Sequence, residues 1–114
     1  HPLYKDIHSI ILKETGIDRV IEKVIYRLGD LESVYLTGDF ARGRDSQVIE
    51  LILVGRGIDR EYLARKIVQA EEMVNRKVTC IVLDPSEAEH YLISYKPSDL
   101  LPLWNHDGSE MTTK

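Results

Sequence analysis

The chain has 114 residues, enough for one domain with a buried core and too few for two. With 43% hydrophobic and 30% charged residues, its composition is that of an ordinary globular protein and excludes a low-complexity chain. The net charge of −4 argues against direct nucleic-acid binding by this domain, and no apolar stretch reaches the roughly 20 residues of a membrane-spanning helix.

The first 28 residues predict two amphipathic helices. Apolar side chains recur at helical spacing in residues 1–15, and Gly16 follows as a C-cap. The same period continues more strongly from Ile17 to Leu28, and Gly29 ends the second helix. The apolar stripes of both helices are expected to belong to the core.

Three strands follow from the apolar pattern of the central chain. Residues 31–37 alternate apolar and polar side chains, residues 48–54 form a nearly continuous apolar run, and residues 78–83 form a third strand. The first connection is too short for a full helix, which favours an antiparallel pair, whereas the second contains a long helix, which favours a parallel pair. The predicted fold class is therefore α/β (α+β), with a small mixed β-sheet of about three strands flanked by helices.

Glycine, proline and acidic residues mark the connections around the third strand. Gly55-Arg56-Gly57 reads as a turn, and Asp59 as the N-cap of a helix that ends near Asn75. The run Asp84-Pro85-Ser86-Glu87 has the residues of a capping box, and its helix is expected to continue to about Ser94.

The C-terminal part predicts one more short helix and a tail. Pro97 is expected to open a helix over residues 98–103, and the apolar Trp104 is expected to dock on the domain or on a partner. Residues 1–104 would then form a single domain and residues 105–114 a flexible tail. Because the chain begins without a methionine, we expect a piece of a longer protein.

The candidate functional residues lie in the stretch from Val34 to Gly55. A strand runs into Gly38-Asp39, a basic loop follows at Arg42-Gly43-Arg44, and the next strand places a single acid, Glu50, in an apolar run. Burying an unpaired carboxylate is costly, so Glu50 is expected to be paired, to lie at a strand edge or to point into a functional cleft.

These residues resemble the core motif of the nucleotidyltransferase superfamily, in the minimal form found alone or behind a winged helix in prokaryotic regulators. Gly38 and the loop Phe40-Ala41-Arg42-Gly43 match the turn and loop of that motif, and residues 50–55 match its second strand. The resemblance implies a nucleotidyltransferase-like fold. In active members it implies magnesium ions on an acid-x-acid pair of the second strand and a third acid from the third strand.

The departures from the motif fall on these metal ligands. The first acid position is occupied by Val48 and the third falls near Thr79, and neither side chain is a carboxylate. The family's Gly-Ser is Gly38-Asp39 here, and the added negative charge would repel a triphosphate. We therefore expect no catalytic residue and no metal or other cofactor. Mg²⁺ would be required only if Asp39 and Glu50 formed an altered site, or if a shift of register brought a further acid close.

The candidate ligand-binding site consists of the turn, the loop and the acid of the second strand: Gly38, Asp39, Arg42, Gly43, Arg44 and Glu50. The arginines and the backbone N–H groups of this loop could hold a nucleotide or another small anion. The alternative is a structural role, in which Asp39 caps the turn and Glu50 is paired with Arg42 or Arg44. The single cysteine, Cys80, alternates with apolar residues and is expected to be a buried residue of a cytoplasmic protein.

The sequence favours a catalytically degenerate nucleotidyltransferase-like domain that senses a ligand or mediates assembly in a transcriptional regulator. DNA contact would belong to a segment outside this chain. Two alternatives stay open. One is an active metal-dependent nucleotidyltransferase with an altered site, and the other is an interaction module of the toxin–antitoxin type. The interaction module would form a homodimer or bind a partner protein through an apolar surface around Trp104.

Overall fold

The computed structural model describes residues 16–25 and 28–105, except for the side chains of residues 18, 25 and 105. Its elements are α1 (Ile17–Ile25), β1 (Asp30–Thr37), α2 (Gly38–Ala41), β2 (Val48–Arg56), α3 (Arg60–Val74), β3 (Lys77–Leu83), α4 (Pro85–Tyr91), two 3₁₀ turns (Leu92–Ser94 and Pro97–Asp99) and β4 (Leu100–Asn105). The helix predicted over residues 1–15 lies outside the described residues, as does the predicted tail from residue 106 onward.

The described strands form one mixed sheet in the order β3-β2-β1-β4. Strand β1 pairs antiparallel with both β2 and β4, whereas β2 and β3 run parallel. The predicted pairings of the first three strands are confirmed. In the part of the chain that the structure describes, no helix combines the length and the apolar character needed to cross a membrane.

One face of the sheet carries the main hydrophobic core, beneath α1 and α3. Alternate residues of the two central strands are fully or almost fully buried there: Val34, Leu36, Ile49, Leu51 and Leu53. Burying one such side chain stabilises the fold by about 1.5–3 kcal/mol. Since side chains alternate along a strand, this burial directs the intervening residues of β2, including Glu50, to the opposite face.

Helix α4 covers only part of that opposite face. A smaller buried cluster forms under it: Ile52, Val54, Leu83 and Ala88. Nearer the start of β2 and β3, the side chains of Glu50, Thr79 and Ile81 stay exposed. The sheet therefore has a closed face and a partly open face, and the open part is the one that carries the acid of the motif.

The end of the chain differs from the prediction of a short helix over residues 98–103. Pro97 opens only a 3₁₀ turn, and residues 100–105 form β4, so the described part of the chain contributes four strands to the sheet rather than about three. Strand β4 pairs with the free edge of β1, with Trp104 opposite Val34. The hydrogen bonds of this pairing outweigh the local signal for a helix, and Trp104 packs against the main core of its own domain.

The connections between the strands and helices differ from the prediction at one point and agree with it at two. Gly55 and Arg56 belong to β2 rather than to a turn, because they pair with the start of β1. A Cβ on Gly55 would lie 2.6 Å from the carbonyl oxygen of Asp30, so only glycine fits this close approach of two strands. The Asp59 N-cap of α3 and the Asp84 capping box of α4 are both present, although α4 ends at Tyr91 and continues to residue 94 as a 3₁₀ turn.

Candidate functional site

Glu50 is the centre of the candidate site. Its α-carbon pairs with that of Thr37 on β1 and with that of Thr79 on β3, in the middle of the sheet. Its side chain is exposed, because it stands on the face that α4 leaves uncovered. Glu50 does not lie at a sheet edge, because β2 stands between β1 and β3, and its carboxylate is directed away from the core onto an open surface.

The Gly38 turn lies directly against this carboxylate. Gly38 begins α2 with φ of +73°, a left-handed conformation that costs other residues about 1–2 kcal/mol. A Cβ at this position would overlap Oε2 of Glu50 and would lie 3.1 Å from Cδ of the same side chain. The turn after β1 and the acid of β2 therefore meet.

Arg42 bridges two carboxylates beside the turn. Its Nη1 lies 3.0 Å from Oδ1 of Asp39, and its Nε lies 2.7 Å from Oδ1 of Asp99. The hydrogen bond and the charge of Asp99 raise the pKa of Arg42, with smaller contributions from the charges of Asp39 and Glu50. The ion pairs of Arg42 are thus made with Asp39 and Asp99, rather than with Glu50 as the structural alternative assumed.

The backbone of the basic loop closes on itself. The N–H of Arg42 and that of Arg44 both donate to the carbonyl of Asp39, at 3.0 Å and 2.9 Å, and the N–H of Gly43 donates to the carbonyl of Phe40 at 3.0 Å. These three N–H groups therefore close the turn and do not point at an anion. Anion binding by this loop stays a prediction that rests on the exposed side chain of Arg44.

Asp45 is held away from the candidate site by Arg76. Nη2 of Arg76 lies 2.6 Å from Oδ2 of Asp45, and Nε donates to Oδ1 at 2.9 Å. The hydrogen bonds of Arg76 lower the pKa of Asp45, so this carboxylate stays ionised in a fixed pair at the entrance to β2. It does not supply the further acid that a shift of register could have brought to Glu50.

The donor set does not fit the two-magnesium site that the resemblance implies. The parallel register places Glu50 beside Thr79, and Val48 lies two residues earlier on β2, so the three acid positions carry valine, glutamate and threonine. One carboxylate cannot hold two hard cations. In the described ranges, no group of three or more His, Cys, Asp and Glu side chains converges as metal ligands.

Two tyrosines that the sequence did not assign to the site stand beside it. The rings of Tyr91 and Tyr95 lie 5.7 Å apart, and the hydroxyl of Tyr95 donates to that of Tyr91 at 3.5 Å. This hydrogen bond, then burial, and to a smaller degree the charge of Glu50 raise the pKa of Tyr95 to about 12. The hydroxyl of Tyr95 is therefore neutral at physiological pH, and both hydroxyls add polar groups to the open face beside Glu50.

Comparison with known proteins identifies the fold. No family model and no curated protein matches the chain. A proposed nucleotidyltransferase from Sulfolobus solfataricus matches with a TM-score of 0.58 and 20% identity, over 94% of this chain and 92% of that one.

Two toxin–antitoxin structures match as well. One was solved with AMP-PNP and has a TM-score of 0.56 and 16% identity, over 77% of this chain and 73% of that one. The other is a tri-AMPylated HEPN toxin of Shewanella oneidensis in complex with its MNT antitoxin, with a TM-score of 0.52 and 16% identity, over 84% and 72%. At these identities the likeness establishes the fold and no activity, and this chain has a nucleotidyltransferase-like fold.

Proposed function

We propose that this chain is a non-catalytic nucleotidyltransferase-like domain that works in assembly, by binding a partner protein through the open sheet face around Glu50. The observation that carries the proposal is the set of residues at the three acid positions, Val48, Glu50 and Thr79. They leave a single exposed carboxylate where two-metal chemistry needs a cluster.

The charges around the turn favour a protein partner over a free nucleotide. Arg42 is shared between two carboxylates, and Glu50 adds a third negative charge nearby. A triphosphate entering without a cation would meet these negative charges, and the guanidinium that could offset them is already paired. The lysine or arginine of a partner would instead meet Glu50, which forms no ion pair with the residues that the structure describes.

The surroundings of Glu50 have the mixed character of a protein interface. Ile81 is 42% exposed on the same face of β3, and Tyr91 is 36% exposed at the end of α4. Exposed apolar and aromatic side chains beside one charge are typical of partner-binding surfaces. A partner that pairs a basic residue with Glu50 would cover these side chains at the same time.

Two biological settings are compatible with such a module. The sequence resembles domains fused behind a winged helix, and in that setting this chain would be the sensing or assembly part of a transcriptional regulator. The structural neighbours include an MNT antitoxin bound to a HEPN toxin, which favours a separate partner protein. In either setting the partner could be a second copy of this chain, and sedimentation over a range of concentrations distinguishes such a homodimer from a heterologous complex.

A nucleotidyl-transfer assay tests the non-catalytic assignment. The chain is incubated with labelled ATP, an acceptor protein mixture and either Mg²⁺ or Mn²⁺, alongside the Glu50→Gln variant. We expect no label transfer above background in either sample. Transfer by the wild type that is lost in Glu50→Gln would overturn the proposal and establish the alternative, a metal-dependent enzyme with an altered site. The double variant V48D/T79D, which restores the missing carboxylates, reports whether the site is otherwise competent.

Binding to a partner is tested with charge and surface variants. Affinity capture from cells that express the intact gene compares the wild type with Glu50→Arg and Ile81→Asp. The matched control for Ile81→Asp is Val68→Asp, which adds the same negative charge at a 57% exposed position on α3, on the other side of the sheet. Loss of one specific protein in the first two variants, but not in the control, supports the assembly function, and equal capture by all variants contradicts it.

A further inference from the structure

A second polar cleft lies at the far end of the sheet from Glu50. It has a volume of about 530 Å³, and its walls are formed by residues 55–58 and 60, by Val82, and by the start of α4 at residues 84, 86 and 87. Gly55 is five residues beyond Glu50 along β2, which corresponds to about 16 Å at the usual rise of a strand. The cleft is therefore separate from the candidate site.

We propose that this cleft binds a small molecule carrying a phosphomonoester, through the guanidinium groups of Arg56 and Arg60. Arg56 ends β2 and Arg60 begins α3, and both side chains are exposed at the cleft. Guanidinium groups match phosphate oxygens with paired N–H donors. The location agrees with the general rule that open α/β sheets bind ligands outside the carboxyl ends of their parallel strands.

The two carboxylates of the cleft are already engaged with the backbone of α4. Oδ1 of Asp84 accepts from the N–H of Glu87 at 2.8 Å and from the hydroxyl of Ser86 at 2.7 Å, and Oε1 of Glu87 accepts from the N–H of Asp84 at 2.9 Å. The two acids cap the start of α4, and the charge of Arg56 is the smallest of the contributions that lower the pKa of Asp84. Neither Arg56 nor Arg60 is held in an ion pair within the described residues, so both guanidinium groups can bind an anion.

Gly57 leaves the loop between the two arginines open. It adopts φ of +60°, and a Cβ built on it would meet no atom within 4 Å. Packing therefore does not require glycine here, in contrast to Gly55. A ligand can approach the bare backbone, and a side chain at this position would occupy the space that a ligand needs. Asparagine tolerates the left-handed conformation, so Gly57→Asn fills the space without straining the loop.

The size of the cleft indicates more than a bare phosphate ion. Ligand pockets for small organic molecules have volumes of about 300–1,000 Å³. Ile58 and Val82 supply apolar surface beside the arginines, which suits an organic group attached to the phosphate. Nucleoside monophosphates and sugar phosphates share this chemistry, and the experiment must separate them.

The test is a titration of the ¹⁵N-labelled full chain, followed by amide chemical shifts, with AMP, ribose 5-phosphate, inorganic phosphate and adenosine in separate samples. We expect saturable shifts confined to residues 55–60 and 84–87 with at least one of the two phosphomonoesters, and no saturation with adenosine. If AMP binds more tightly than ribose 5-phosphate, the ligand is a nucleoside monophosphate; if ribose 5-phosphate binds more tightly, it is a sugar phosphate. The variant R56Q/R60Q should weaken this binding at least tenfold, and Gly57→Asn should weaken it as well.

Arg65→Gln, an exposed arginine of α3 that does not line the cleft, is the matched control and should bind as the wild type does. No saturable binding by any phosphomonoester would overturn the proposal, as would equal binding by R56Q/R60Q or shifts centred on residues 38–44. The cleft variants should leave partner capture unchanged. Failure of this proposal is therefore distinguishable from failure of the proposed assembly function.

Discussion

The carboxylate of Glu50 lies over the α-carbon of Gly38, in the space that any side chain at residue 38 would occupy. This contact joins the two halves of the sequence motif, since Gly38 directly follows the first strand and Glu50 stands near the start of the second. It also explains why residue 38 must be glycine for two separate reasons, the left-handed backbone and the closeness of the carboxylate.

Gly38→Ala is predicted to destabilise the domain by about 1–3 kcal/mol, from the left-handed backbone and the displacement of Glu50. Urea denaturation measures the change. The control Gly57→Ala adds a methyl group at a similar φ with open space around it, so it should show only the smaller backbone cost. In Gly38→Ala/Glu50→Ala the overlap is gone, and the free energy of unfolding should recover part of the loss. A strictly additive double variant would contradict the contact.

Phe40 anchors the short helix of the motif in the core. Only 1% of its surface is exposed, and the guanidinium carbon of Arg76 lies 5.9 Å from its ring centroid. Phe40→Ala is predicted to lower the free energy of unfolding by about 3–5 kcal/mol, because it leaves a cavity. Phe40→Leu should lose less than half as much. The control Ile93→Ala, at a side chain 80% exposed, should change stability by less than about 0.5 kcal/mol. Equal effects of Phe40→Ala and Ile93→Ala would disprove the anchoring role.

Local periodicity was sufficient to predict most of the fold. The alternation in β1 and the apolar run of β2 specify which side chains enter the core, and the lengths of the connections specify the directions of β1, β2 and β3. The sequence does not predict strand β4, because a leucine-rich run after Pro97 also fits a short helix. Its strand conformation depends on pairing with β1, more than 60 residues earlier, which no local pattern contains.

The candidate site was predictable only where its members are close in sequence. The contact between Gly38 and Glu50 follows from an antiparallel pair with a short connection. Asp99, in contrast, is 57 residues from Arg42, and nothing near either residue indicates that they pair. The cleft at Arg56 and Arg60 was missed for a related reason, since Gly55-Arg56-Gly57 was interpreted as a turn rather than as the end of a strand beside α4.

The pair of Asp45 and Arg76 is predicted to make stability depend on pH at the acid end. The hydrogen bonds of Arg76 lower the pKa of Asp45 in the folded state, so the pair stabilises the fold above the ordinary aspartate pKa of about 3.9. That stabilisation is lost as the pH falls through the lowered pKa. Because the Asp45 side chain is 60% exposed, the stabilisation by the ion pair at pH 7 should stay below about 1 kcal/mol.

Thermal unfolding of Asp45→Asn from pH 7 down to pH 2 provides the measurement for this pair. The variant should melt below the wild type at pH 7, and the two curves should converge at the lowest pH. Glu72→Gln, which removes an exposed carboxylate of α3, is the control and should run parallel to the wild type throughout. A difference between Asp45→Asn and wild type that persists unchanged at pH 2 would show that the effect is not the ion pair.

Cys80 is predicted to be unreactive while the domain is folded. Its side chain faces the main core from β3, and burial raises the pKa of the thiol to about 12. The thiolate is the nucleophile, so at pH 8 the folded thiol should react with a disulfide reagent at least about 100-fold more slowly than the thiol of the urea-unfolded chain. The reaction rate of Gly38→Ala provides a comparison with the wild type. If this variant destabilises the fold, transient unfolding should expose Cys80 more often and increase the reaction rate. A folded wild type that reacts as fast as the unfolded chain would place Cys80 outside the core.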